Sequence, residues 1–266
     1  MFKKLPLNLK EFDKLITDPF CIFEKKNFLE DELYNDLRNN FPKEELFEGF
    51  HENGKKIFLN NKQDKFFKFL KVNKIWNNFY KSVNNKTFAN LMIKLINEEL
   101  KKIDNRKNIK NFFFHERYQN TLYKKFQRKI LKLVNINNIR VGFEFSIIKR
   151  ECFIPPHCDT ENKLLSLMLY FPPSIKNQNF MIPENIGTNF YKIKQNSNKN
   201  LDTWKSKYLN DNDAKFFYDN YNIFYKSQFQ ENKLIGFIKN HRSWHDVTMF
   251  KENFLRRSLN INIFLI

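Results

Sequence analysis

Beyond residue 138 the chain becomes a succession of short apolar runs, at 139–148, 164–171, 188–193, 223–229, 234–238, 244–248 and 258–265, parted by turn-forming residues. Runs of this kind, rich in Ile, Val, Phe and Tyr, read as β-strands. Parallel neighbours in a sheet need helical crossovers, and no amphipathic helical stripe separates these runs. The expectation is therefore an antiparallel jelly roll over residues 135–266. A polar stretch at 195–213, rich in Asn, Lys and Ser, breaks the series. It reads as a surface insertion, of the kind that touches substrate when it borders a barrel mouth.

The first half has a different period. A short strand is expected at 20–23, then a helix at 30–39, opened by charged residues and closed by Asn39-Asn40-Phe41-Pro42. Further helices are expected at 65–82, 88–102 and 111–134. In the second of these, Phe88, Leu91, Met92, Leu95, Ile96 and Leu100 recur at helical spacing and make one face for burial. Residues 1–134 thus read as a helix-rich scaffold packed on the 135–266 core, an α+β class with a mainly β core. No internal repeat and no clear linker divides the 266 residues, so a single domain is expected.

Five residues of the strand region carry chemistry: His157, Asp159, His245, Arg256 and Ser258. Side chains alternate along a strand, so one run can point His157 and Asp159 the same way and Cys158 the other. His245 then arrives from another strand. Two histidines and one carboxylate, with no competing thiolate, occupy one face of a metal such as Fe(II) and leave positions open. Pro155-Pro156 stiffens the approach to His157. Arg256 follows His245 by 11 residues, room for the His245 strand to end, turn and return beside itself, bringing a cation near the metal. Arg256 and Ser258 stand two apart and share a face, where a guanidinium fork beside a hydroxyl suits a carboxylate held at two points. Arg257 is the rival for that contact. Of the remaining histidines, His51, His115 and His241 read as surface or structural residues, and His241 is the one closest in sequence to the site.

These residues resemble the 2-oxoglutarate- and Fe(II)-dependent dioxygenases, most closely their prolyl-4-hydroxylase-like branch. The matching pattern is His157-x-Asp159, then Ser243-Trp244-His245-Asp246-Val247, then Arg256-x-Ser258. The runs at 164–171 and 232–237 look like the strands after the first motif and before the distal histidine. Gly187-Thr188-Asn189-Phe190-Tyr191 stands where the family has a glycine–threonine turn into a strand. The start, from Asp18-Pro19-Phe20 to Asn40-Phe41-Pro42, is similar to the N-terminal strand and helix of such enzymes. Residues 50–130 are poorly covered.

The resemblance implies a cupin-like double-stranded β-helix. It implies Fe(II) held by His157, Asp159 and His245, 2-oxoglutarate gripped by Arg256 and Ser258, O2 as oxidant and ascorbate as a reductant. The implied reaction hydroxylates a C–H bond of a small molecule, an amino acid or peptidyl residue, or a sugar-type substrate, with release of succinate and CO2. Asp159 favours hydroxylation over halogenation, because related halogenases carry a small residue there. An AlkB-type nucleic acid demethylase is an alternative, but such enzymes carry a second Arg six residues after the first, and the positions here are Asn262 or Ile263. A metal- or anion-binding jelly-roll module without turnover is the other.

Composition bears on partners and compartment. A net charge of +18 invites an anionic partner. The lysines, however, are scattered, and Lys, Asn, Ile and Phe are all encoded by A/T-rich codons, so a nucleotide-biased genome would produce the same composition and at least half of that charge is read as such drift; nucleic acid is not the expected partner. With 41% hydrophobic residues and 32 Phe the chain can fill a large core. The start lacks the apolar stretch of a signal peptide, and no run reaches membrane-spanning length. Cys21, Cys152 and Cys158 make neither a metal-type pair spacing nor a disulfide framework. A cytoplasmic location is the expectation.

Overall fold

Strands β5 (Asn137–Ile148) and β12 (Arg256–Leu265) run antiparallel through ten paired positions, from Arg256↔Ile148 to Leu265↔Ile139. They are the spine of the larger of two sheets. The computed structural model describes residues 9–49, 56–103, 109–117, 122–133, 136–173, 186–195, 197, 209 and 211–266. In the larger sheet the order is β1 (Lys14–Ile16), β2 (Ile22–Lys25), β10 (Leu234–Ile238), β7 (Lys163–Tyr170), β12, β5 and β3 (Lys56–Asn60), with β4 (Phe112–Phe114) parallel against β5. The smaller sheet is β6 (Ile154–His157), β11 (His245–Val247), β8 (Thr188–Ile193) and β9 (Tyr221–Ser227). From β5 to β12 the chain passes repeatedly between the sheets, which explains why no helical crossover is needed.

Alternation gives the two faces of the spine opposite characters. Val141, Phe143, Phe145 and Ile147 of β5, with Leu259, Ile261 and Ile263 of β12, pack into the main apolar core. That core is roofed by α1 (Asp31–Asn39), α2 (Asp64–Val72), α3 (Lys74–Val83) and α4 (Lys86–Ile103). Trp76 of α3 meets Phe145 edge to face at 4.6 Å, a favoured aromatic geometry, and its indole N–H donates to the Asn40 carbonyl at 2.9 Å. Arg140, Glu144 and Ser146 of β5, and Arg256, Ser258, Asn260 and Asn262 of β12, line a cavity beneath the smaller sheet. A second apolar cluster, including Phe20, Tyr170, Phe190, Phe237 and Val247, ties the two sheets together beside that cavity.

The expected helix at 65–82 is two helices. Asn73 ends α2 and caps α3, its side chain accepting from the Trp76 N–H at 3.1 Å, the role Asn prefers. The expected helix at 111–134 divides into β4 and α5 (Leu122–Leu133). Residues before 135 supply not only α1–α5 but four strands of the larger sheet, so scaffold and β core share one sheet. Of the polar stretch at 195–213, residues 196, 198–208 and 210 lie outside the described residues; α6 (Asp211–Asn220) follows it. Among the described residues no helix is long and apolar enough to cross a membrane.

Candidate metal centre

His157 closes β6 and His245 opens β11, and the two are direct partners across the antiparallel pair. Their ring centroids lie 4.2 Å apart. Each ring is anchored in the same way: His157 Nδ1 is 2.9 Å from the Pro155 carbonyl, and His245 Nδ1 is 2.9 Å from the Ser243 carbonyl. A carbonyl only accepts, so Nδ1 carries the proton and Nε2 keeps its lone pair, the form in which imidazole binds metals. Burial pushes the pKa of both rings below the ordinary histidine value. For His157 the neighbouring His245 adds to that, while for His245 the Asp159 charge opposes it. Both are therefore neutral at neutral pH.

Asp159 reaches the same point from outside the strand. The expectation of one strand presenting both residues is corrected here: β6 ends at His157, and residues 158–162 form the connection to β7. The pleat still does part of what was expected, because Cys158 turns into an apolar cluster with Tyr191, Phe217 and Trp244. The Asp159 carboxylate is fixed on both oxygens. Lys163 donates to Oδ1 at 2.7 Å and Ser166 to Oδ2 at 2.9 Å. Burial alone would raise its pKa, but the charge and hydrogen bond of the adjacent Lys163 ammonium outweigh that and hold it well below the usual carboxylate range. Ligand atoms of His157, Asp159 and His245 all fall within 4.8 Å of one another. Two lone-pair nitrogens and one permanent carboxylate suit a divalent first-row metal such as Fe(II).

Arg256 enters the same cavity from the opposite sheet. It does not lie beside the His245 strand as its spacing implied; β12 pairs with β5 and β7, and β11 with β6 and β8. The 11-residue interval is a crossing between sheets, not a hairpin. Arg256 is 2% exposed. Its Nε donates to the Ile186 carbonyl at 2.8 Å and Nη2 to Thr188 Oγ1 at 3.2 Å. Tyr170 and Phe229 flank the guanidinium at 5.2 and 5.4 Å. Ser258, on the same face, is also buried and lines the same space. Arg257 points to the other face, over the Phe41 ring at 5.6 Å, and does not line the cavity. Gly187 sets this cradle, because a Cβ there would fall on the Ser227 backbone oxygen; only glycine lets β8 and β9 close at this point.

Several residues around the site were not singled out in the sequence. Lys163 and Ser166 are hidden in an apolar strand, as is Tyr170, whose hydroxyl is bonded at 2.9 Å to that of Thr188 in the glycine–threonine turn. Asp246 is buried next to His245 and accepts from Asn189, Tyr191 and Tyr218, so it fastens β11 to β8 and α6. The one available signal was alternation: polar residues at every second position of 256–262 and of 144–146 mark a polar inner face. His115 is structural, buried and 2.8 Å from Asn138. His241 is exposed, and His51 lies outside the described residues.

No family model matches the sequence, and no curated protein matches it. Among solved structures the chain is similar to a Pseudomonas putida prolyl-4-hydroxylase, at 10% identity over 93% of this chain and 92% of that one, with a TM-score of 0.46. It is similar to a Trichoplax adhaerens prolyl hydroxylase bound to a hypoxia-inducible-factor peptide, at 10% identity over 91% and 83%, TM-score 0.47. It is also similar to HygX of Streptomyces hygroscopicus, holding nickel, 2-oxoglutarate and hygromycin B, at 6% identity over 93% and 84%, TM-score 0.45.

Proposed function

We propose that this chain is a 2-oxoglutarate- and Fe(II)-dependent dioxygenase that hydroxylates a C–H bond of a small-molecule, amino acid, peptidyl or sugar-type substrate. One observation carries the reading: two Nε2-presenting histidines and a fixed carboxylate converge in a cavity that also holds a buried arginine. His157, Asp159 and His245 hold the metal. Bound iron supplies the oxidising power that activates O2, with ascorbate as a reductant. The rest is done by the chain. Arg256 and Ser258 bind the distal carboxylate of 2-oxoglutarate, and Thr188 and Tyr170 orient Arg256 for it. Phe237 and Val247 are apolar walls of the cavity that limit water around the reacting centre. The two interleaved sheets are the halves of a double-stranded β-helix, and residues 1–266 act as one oxygenase domain. Three free cysteines agree with a reducing, cytoplasmic setting.

The test is product formation. Fe(II)-loaded protein given 2-oxoglutarate and O2 should form succinate slowly even without substrate, and Asp159→Ala should not. Equal succinate from both would refute the assignment, and none from either would favour a binding module.

A further inference from the structure

Helix α5 carries Lys124, Lys125, Arg128, Lys129 and Lys132 within 12 residues and no acid, and no acid stands anywhere between Glu116 and Glu144. Elsewhere the lysines are balanced. In α4, Lys101 pairs with Glu98 and Lys102 with Glu99, each at 2.6 Å. The basic character of α5 is therefore local and not only a share of the scattered charge.

Apolar residues run along the same helix. Phe126, Ile130 and Leu133 stand four and three residues apart, which at about 100° per residue keeps them within about 60° of one another around the axis. They are 64%, 45% and 82% exposed. Gln127, Arg128 and Leu131, on the opposite side, are half-buried, where the helix packs against β5. The Leu131 carbonyl accepts from the Ile136 N–H at 2.8 Å, tying the end of α5 to the chain that enters β5. The stripe thus faces outward, and Lys125 and Lys129, both exposed, border it on one side. Next to these lysines lies a groove of about 460 Å³, with Lys125, Arg128 and Lys129 on one wall and Leu265 and Ile266 on the other.

Large apolar side chains exposed in a row mark a contact surface, and the charge beside them says of what kind. A protein covering this convex face would need a matching groove and several acids set opposite the lysines. An anionic bilayer supplies negative charge and an apolar phase together. Lysine stems can lie along the apolar boundary while their ammonium groups stay among the headgroups. A helix that is strongly two-faced, low in overall hydrophobicity and basic on its polar side lies in a membrane interface and does not cross it.

We propose that α5 docks the protein on an anionic lipid surface. Phe126, Ile130 and Leu133 enter the acyl boundary, and Lys125 and Lys129 meet the negatively charged headgroups. Neither the metal ligands nor Arg256 takes part, so docking is independent of the proposed dioxygenase activity.

The test is co-sedimentation of the full chain with vesicles of phosphatidylcholine alone and of phosphatidylcholine with about 30% phosphatidylserine. The protein should pellet with the anionic vesicles at about 0.1 M salt and stay in solution with the neutral ones. Binding should fall about 10-fold or more at about 1 M salt, where the screening length shrinks from about 10 to about 3 Å. Phe126→Ser and Leu133→Ser, at exposed positions where folding is not at risk, should each weaken binding about 10-fold. Lys129→Glu should weaken it at least about 10-fold. Lys94→Glu, the same charge change at an exposed position of α4, should leave it within about 2-fold. Equal weakening by Lys94→Glu would mean that the net charge of +18 acts diffusely, and would overturn the proposal. So would equal binding to neutral and anionic vesicles, binding to neither, or binding unmoved by the three α5 changes. Binding to polyglutamate without binding to vesicles would also overturn it, giving the helix to an acidic protein segment instead.

Discussion

His157 and His245 face each other as register partners of β6 and β11, and each donates Nδ1–H to the carbonyl two residues before it. The backbone itself thus fixes both tautomers, with no side chain required. What remains adjustable is the third candidate ligand, Asp159, whose oxygens are held by the side chains of Lys163 and Ser166.

Ser166→Ala removes the bond that orients Asp159 Oδ2. Loss of such an outer partner weakens metal binding by about 10- to 100-fold. Titration of Fe(II) or Mn(II) into the wild type and the variant measures this directly, and equal affinities would mean that Lys163 alone positions the carboxylate.

Arg256→Gln should weaken 2-oxoglutarate binding by about 10- to 100-fold through loss of a charge-assisted contact. Arg257→Gln should leave it unchanged, because that guanidinium lies over Phe41 outside the cavity. Equilibrium binding of 2-oxoglutarate to the metal-loaded variants separates the two. The reverse order of effects would move the cosubstrate to the other face of β12.

The metal-free protein should lose stability on mild acidification. Both site histidines have depressed pKa values in the fold, so below the unfolded value of about 6.5 the unfolded chain takes up protons that the folded one refuses. Stability is fully present above that pH and falls below it, by at most about 1.4 kcal/mol per pH unit for each histidine. Asp159, depressed in the fold, adds its loss only below the unfolded carboxylate value of about 4. Urea midpoints between pH 7 and 5 should drop more steeply in wild type than in His245→Gln. Parallel profiles would contradict the neutral, buried state of His245.

Gly187→Ala places a methyl group on the Ser227 carbonyl and forces β8 from β9. A cost of about 1–3 kcal/mol is expected from such overpacking. Thr188 should shift with the strand, so 2-oxoglutarate affinity should fall in the same variant. Denaturant unfolding and cosubstrate titration together check this; a stable variant with normal affinity would show that the turn adjusts freely.

Part of the candidate site was legible because His157, His245, Arg256 and Ser258 lie on strands. Thr188–Ile193 and Leu234–Ile238 coincide with the runs read from the sequence, since each is apolar and bounded by turn residues. Arg256 and Ser258 do share a face. Sheet partnership was not legible. Nothing local distinguishes a return to the neighbouring strand from a crossing to the other sheet, and Arg256 makes the crossing. The strand boundary after His157 was missed for a similar reason, because Asp159 is held by Lys163 and Ser166 of the next strand, contacts made only in three dimensions. β3 was missed because five residues of mixed polarity, Lys56–Asn60, gain their strand character from pairing with β5. The helix break at Asn73 was readable from its capping preference but was masked by the apolar residues on either side.

The central claim, that His157, Asp159 and His245 hold iron beside a 2-oxoglutarate site, is tested most directly without any substrate. Fe(II) and 2-oxoglutarate are added anaerobically to wild type and to His157→Ala, and the visible metal-to-ligand charge-transfer band is recorded. The account predicts a saturable band in wild type that is absent from His157→Ala. A band of equal strength in both proteins, or none in a wild type shown to contain bound iron, would contradict it.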